Sequence, residues 1–213
     1  MTTAAVLASI LGALLIGAAS PGPSFVLVSR DAISASRLDG LAAAVGMGVG
    51  GAFFAALAVF GLTALLLQVG WLYLGLKLAG GAYLVYLGLR IWRGAQQSLV
   101  LPDSGGLRRS LPRSFFLGLM TQVSNPKTAL VYTSIFAALL PASPPFWLLI
   151  SLVPLVASVE AGWYAVVALA FSARKPRSAY LAAKLWIDRA AGAVIGVLGL
   201  QLIASAGRAT VER

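Results

Sequence analysis

Apolar residues come in six long runs separated by short polar stretches, at 4–29, 41–67, 71–92, 114–140, 146–172 and 185–206. Each run reaches the roughly 20 residues that a helix needs to cross the hydrocarbon core of a bilayer. Runs this apolar carry no readable periodicity, so their length and their alanine and leucine content decide for helix over strand. The pattern predicts an all-α integral membrane protein with six transmembrane helices in one transmembrane domain over 1–213.

Two of the runs are interrupted. Ser20-Pro21-Gly22-Pro23-Ser24 breaks the first, and Ser124-Asn125-Pro126-Lys127-Thr128 breaks the fourth near its midpoint. Proline withdraws a backbone donor, and a lysine at such depth costs roughly 2.5 kcal/mol or more. Breaks of this kind persist in a bilayer only where they face protein or a wet cavity. The longest polar connection, 94–113, divides the chain into repeat one (1–93) and repeat two (114–213), with three runs in each. Three is odd, so the second repeat is inverted in the membrane, and the broken helices 1 and 4 stand first in their repeats. Broken helices in inverted repeats are a construction of secondary transporters. Identity between the halves is negligible, so the repeat rests on topology and on the breaks.

Composition narrows the classes further. Hydrophobic residues make up 60%, charged residues 10%, and mean hydropathy is +0.92. The net charge of +10 does not point to nucleic acid, because the basic residues are concentrated between the apolar runs. With no cysteine and no histidine, the chain has no thiol relay, thiolate metal site, HExxH zinc site or histidine base. No nucleophile and base pair suggests an enzyme. Residues 4–29 lack the basic start of a cleaved signal peptide and read as the first span.

Orientation follows from lysine and arginine. Arg30, Arg37, Arg90, Arg93, Arg108, Arg109, Arg113, Arg174, Lys175, Arg177 and Lys184 fall on one side, against Arg208 and Arg213 on the other. By the positive-inside rule the 94–113 loop is cytoplasmic and both termini are periplasmic. Trp71, Tyr73, Trp92, Trp147 and Trp186 lie at run ends, as an interfacial aromatic belt requires.

The candidate chemistry gathers at the breaks. Asn125 before Pro126 has the form of an N-cap before a first-turn proline, and Ser20-Pro21 or Gly22-Pro23 offers the same signal. Each break then starts a half-helix whose free amides welcome a carboxylate near mid-membrane, although kinks used only for packing are the alternative. Lys127 is the cation at the centre of run four, and Glu160 the acid at the centre of run five. Charges this deep call for a partner, which can be each other, water or a ligand, and Glu160 is also a candidate proton carrier. Ser24 and Gln122 supply neutral polar groups at similar depth. Gly46 and Gly50, with Gly48 and Gly51 beside them, read first as helix packing and second as space for substrate. Lys77, about two turns inside its run, reads as an interfacial anchor before a vestibule residue.

Pro21-Gly22-Pro23, the run Leu78-Ala79-Gly80-Gly81-Ala82-Tyr83-Leu84-Val85-Tyr86-Leu87-Gly88, Asn125-Pro126-Lys127 and the run from Gly192 to Leu200 together resemble the LysE/RhtB family of bacterial amino-acid exporters. The resemblance covers essentially the whole chain. It implies an inner-membrane exporter of amino acids or related metabolites, driven by the proton gradient, without cofactor. The family often carries Asp or Asn directly after Pro-Gly-Pro, where this chain has Ser24. An amino acid brings a carboxylate for the half-helix amides and Lys127, and an ammonium for Glu160. The rival is a cation or metal-ion exporter of a related six-helix fold, for which the buried oxygen ligands are few. Substrate identity and a homo-oligomeric state are left open.

Overall fold

The computed structural model describes residues 2–68, 70–97, 110–141 and 143–211, with the side chains of 62–68, 70–73, 76, 77 and 207–211 excepted. Among the described residues every regular element is helical: α1 Thr3–Ala19, α2 Pro23–Ser34, α3 Arg37–Gln68, α4 Gly70–Gly94, α5 Leu111–Val123, α6 Pro126–Leu139, α7 Phe146–Phe171 and α8 Arg174–Val211.

Local chemistry sets most of these boundaries. Thr2 caps α1 by accepting from the Ala5 amide. Gly22 and Asn125 precede the first-turn prolines Pro23 and Pro126, whose fixed φ suits a helix start and whose missing N–H is no loss there. Ser36 stands before α3, where its hydroxyl accepts from the Asp39 amide at 3.1 Å and donates to the Asp39 carboxylate at 2.6 Å. Ser114 on α5 donates to the other oxygen of Asp39 at 3.0 Å, which ties the start of α3 to the start of α5.

The basic stretch after run five is helical rather than a loop. Only Ser172 and Ala173 separate α7 from α8, so Arg174, Lys175, Arg177 and Lys184 occupy the first three turns of a 38-residue helix. The helix continues because Lys184 is buried against Asp188 one turn later, at 2.7 Å, and needs no loop to reach water. Arg30 likewise lies within α2, which runs five residues past the end of the first apolar run. The connection at 98–109 and Val69 lie outside the described residues.

By length and composition three described helices suffice to cross a membrane: Arg37–Gly61, Phe146–Phe171 and Arg174–Ala206. A fourth crossing is added if the pair Thr3–Ala19 and Pro23–Ser34, bent by 61°, counts as one. The outside is apolar, with Val45, Val49, Phe53, Leu57 and Phe60 forming an exposed stripe on α3 at near four-residue spacing, as a lipid-facing helix has. Trp92, Trp147 and Trp186 are exposed as a belt would place them, while the side chains of Trp71 and Tyr73 lie outside the described residues.

Glycine allows two close helix contacts. A Cβ on Gly46 would strike the Phe115 carbonyl and one on Gly118 the Ala43 carbonyl, so α3 and α5 touch through their backbones. A Cβ on Gly199 would come within 2.6 Å of the Gly81 carbonyl, and one on Gly192 within 2.7 Å of the Gly88 carbonyl, which locks α4 to α8 in the same way.

Two apolar clusters fill the interior. One joins Ile10, Leu14, Leu84, Ile135, Phe136, Leu148 and Leu152 from α1, α4, α6 and α7. The other joins Phe25, Val28, Met47, Val167 and Phe171 from α2, α3 and α7. Helix α7 runs through both. Its buried stripe reads Leu148, Leu152, Val156, Glu160, Tyr164, Ala168, so a carboxylate stands where the stripe passes from one cluster to the other.

Candidate functional site

The seam between the clusters is polar because the two helix breaks meet there. At the second break the Asn125 side chain accepts from the Lys127 amide at 3.0 Å, as an N-cap does, and its Nδ2 donates to Ser24 Oγ at 3.1 Å on α2. Ser24 Oγ donates to Gln122 Oε1 at 2.7 Å, and Gln122 Nε2 donates to Glu160 Oε2 at 3.2 Å. Tyr132 donates its hydroxyl to Glu160 Oε1 at 2.8 Å. One chain of hydrogen bonds thus runs from the cap of α6 through α2 and α5 to the carboxylate on α7. Ser24, Gln122, Asn125 and Glu160 are all buried, so each bond replaces water that these groups have lost.

Lys127 turns to the other break. Its ammonium donates to Gly17 O at 3.2 Å and to Ser20 O at 3.1 Å, at the carbonyl end of α1. Trp163 on α7 donates to Ala18 O at 3.2 Å in the same turn. A helix ends with unsatisfied carbonyls and partial negative charge, and a lysine there answers both. Lys127 and Glu160 therefore form no direct ion pair; each is satisfied by neutral groups within one pocket.

That pocket is small. Leu14, Gly17, Ser20, Gly22, Ser24, Gln122, Asn125, Lys127, Thr128, Tyr132, Glu160 and Tyr164 line a cavity of about 30 Å³, room for about two waters. A second, wider cavity of about 500 Å³ shares Ser20, Gly22, Asn125 and Lys127 with it and extends along α4 and α8 past Tyr83, Leu87 and Arg90 to Gly94, Lys184 and Asp188. The breaks form the neck between an outer vestibule and an inner polar seam.

The residues singled out in the sequence distribute themselves as follows. Ser24, Gln122 and Glu160 line the seam; Gly22, Asn125 and Lys127 stand at the neck; Pro21, Pro23 and Pro126 line the vestibule. Gly50 leaves room for the Gln122 side chain, 2.7 Å from where its Cβ would be, and Gly51 does the same for Glu160 and Tyr132 at 2.9 Å. Gly46 serves helix packing alone and lines neither cavity. The side chain of Lys77 lies outside the described residues. Sequence reasoning missed Tyr132, Tyr164, Thr128 and the Lys184–Asp188 pair. Tyr164 was within reach, one turn after Glu160 on the same face, as was the i,i+4 spacing of Lys184 and Asp188. Tyr132 carried no such mark. Among the described residues no three His, Cys, Asp or Glu side chains gather as metal ligands.

The family profile described as LysE type translocator matches residues 15–206. A threonine efflux protein of Salmonella typhi is 31% identical over 203 residues, covering 90% of this chain and 94% of its own. The threonine efflux protein of Escherichia coli K12 is 30% identical over 193 residues with the same coverage. An uncharacterised membrane protein of Haemophilus influenzae is 28% identical over 192 residues, covering 89% of this chain and 91% of its own. No solved structure matches the chain significantly.

Proposed function

The chain belongs to the LysE type translocator family, and we propose that it exports amino acids or closely related metabolites across the bacterial inner membrane in exchange for protons. It is a membrane transporter and not an enzyme, as its family and relatives are. Threonine is the first substrate to test, because relatives about 30% identical over most of the chain are threonine efflux proteins.

The observation that carries the proposal is the meeting of both helix breaks, one cation and one acid around a single cavity. The starts of α2 and α6, together with the Lys127 ammonium, attract the substrate carboxylate. Glu160 takes the substrate ammonium. It also takes a proton when the substrate has left, so proton and substrate compete for one carboxylate and their movements are coupled in opposite directions. Tyr132 and Gln122 hold Glu160 in place between turns of the cycle. The seam holds about two waters, so an amino acid enters only as the helices part at the neck. Lys127 is suited to that step, because its bonds to Gly17 and Ser20 are to neutral carbonyls that a carboxylate outcompetes.

The same reading takes α1 with α2, α3, α4, α5 with α6, α7 and α8 as six crossings in two inverted triplets, each opening with a broken helix. The excess of basic residues supports an orientation with 94–113 in the cytoplasm and both termini in the periplasm. A single cysteine at Ser104 tests this orientation cleanly in a chain without cysteine. It should resist an impermeant thiol reagent in intact cells and react after lysis, and labelling in intact cells would reverse the topology.

Flux in proteoliposomes tests the function. Threonine, or another of the twenty amino acids, should move faster when a pH gradient is imposed, and Glu160→Gln should remove that dependence while the protein remains folded. Flux of no amino acid by the parental chain refutes the export, and an unchanged gradient dependence in Glu160→Gln refutes the coupling through this carboxylate.

A further inference from the structure

The vestibule carries charges that the seam does not use. Asp188 is 4% exposed, and its two oxygens differ in their circumstances. Oδ2 accepts from Lys184 Nζ at 2.7 Å, whereas Oδ1 is buried with no hydrogen-bond partner. Lys184 is itself held by the Ala95 carbonyl at 3.3 Å, which fixes its ammonium toward the end of α4. Arg90 shares one face of α4 with Tyr83, Leu87 and Gly94, lines the same chamber, and makes no ion pair with a described residue.

An unpartnered carboxylate oxygen cut off from water is unfavourable unless something fills it, and native structures rarely leave one without a reason. The capacities of the two cavities suggest what fills it. The seam takes about two waters, while the vestibule, at about 500 Å³, lies in the range of small-molecule sites. A zwitterion coming from the basic end therefore first meets a chamber large enough to hold it, walled by an acid with one free oxygen and a guanidinium without a carboxylate. The chamber and the seam share Ser20, Gly22, Asn125 and Lys127 in their walls, so the chamber opens onto the neck.

We infer that the vestibule is a loading subsite for the amino acid, in which Arg90 receives the α-carboxylate and the Asp188 carboxylate, turned so that Oδ1 meets the chamber, receives the α-ammonium before the substrate moves on to Lys127 and Glu160. The guanidinium suits a carboxylate because its fork of donors matches two oxygens. This subsite rests on the reading of the chain as an amino-acid exporter. It adds to that reading a second stop on the path, occupied while the neck is still closed.

Uptake of radiolabelled threonine, or of whichever amino acid the parental chain carries, into inverted membrane vesicles tests it from the basic side. Arg90→Gln and Asp188→Asn should each raise KM about tenfold, with a smaller change in kcat. Competitors separate the two roles. An amino alcohol, which lacks the carboxylate, should inhibit Arg90→Gln as well as it inhibits the parental chain but lose potency on Asp188→Asn. A hydroxy acid, which lacks the ammonium, should show the reverse. If Lys184→Gln reproduces the whole Asp188→Asn pattern, competitors included, Asp188 acts only through its ion pair and the subsite is wrong. Arg90 is exposed, so Arg90→Gln should fold whatever becomes of the buried variant. An unchanged KM in Arg90→Gln overturns the subsite and leaves the exporter standing. Failure of the parental chain to take up any amino acid removes the exporter reading and the subsite with it.

Discussion

The two helix breaks look alike in the chain and are held in different ways. The second is self-sufficient: Asn125 caps α6 with its own side chain and still has a donor for Ser24. The first has no side-chain cap, since Gly22 offers none, and the helix-end carbonyls at Gly17 and Ser20 are satisfied by Lys127 from the second break, two residues past the cap. The first break therefore depends on the second. The asymmetry matters because the first break bends by 61°. A bend whose carbonyls are held by Lys127 and Trp163 from other helices can be released by moving those side chains, whereas a break held by its own capping residue cannot.

The largest effect should follow from cutting this dependence. Lys127→Met leaves two carbonyls at the end of α1 without their donor, and removes the cation from the neck. It should lower stability by about 2–4 kcal/mol and reduce export at least a hundredfold. Thermal unfolding measured beside flux reads both. Adding Glu160→Gln should not restore export; restoration of stability and export together in the double variant would mean that the two charges serve only as architecture.

A smaller effect is expected at the second break. Asn125→Ala loses the cap and the bond to Ser24, and should cost about 1–2 kcal/mol. Asn125→Asp separates the two losses, because an aspartate still accepts from the Lys127 amide but no longer donates to Ser24. Its stability should return most of the way while its export stays low, and recovery of both would show that the link between the breaks is dispensable. The smallest effect is expected at the first cap. A Cβ on Gly22 would sit 3.5 Å from Lys127 Nζ, an ordinary contact, and the extended backbone there, with φ of −155°, accepts alanine. Gly22→Ala should cost only about 0.5 kcal/mol in unfolding experiments. A loss as large as that of Asn125→Ala would erase the contrast between the breaks.

Residue types alone located much of this. Asn-Pro and Gly-Pro mark helix starts because capping and proline geometry act within a few residues, and α6 and α2 begin where those signals stand. A lysine or glutamate deep in an apolar run identifies itself by its desolvation cost, whatever surrounds it. Polar residues whose meaning depends on a partner were harder to read. Lys184 was assigned to a loop by its charge, and only its bond to Asp188 explains why the helix continues through it.

The sequence by itself determined an apolar helical membrane protein broken at two places, because hydrophobic length and local backbone chemistry need no knowledge of neighbours. The partners were decided by tertiary structure. Lys127 meets Gly17 and Ser20 across separations of 110 and 107 residues, and Ser24 meets Gln122 across 98. Nothing in the local pattern distinguishes Glu160 as the partner of Lys127 from a carbonyl at the end of α1. That choice is made by how the helices cross, and the crossings are set by where the glycines of α3 and α5 and of α4 and α8 let backbones touch.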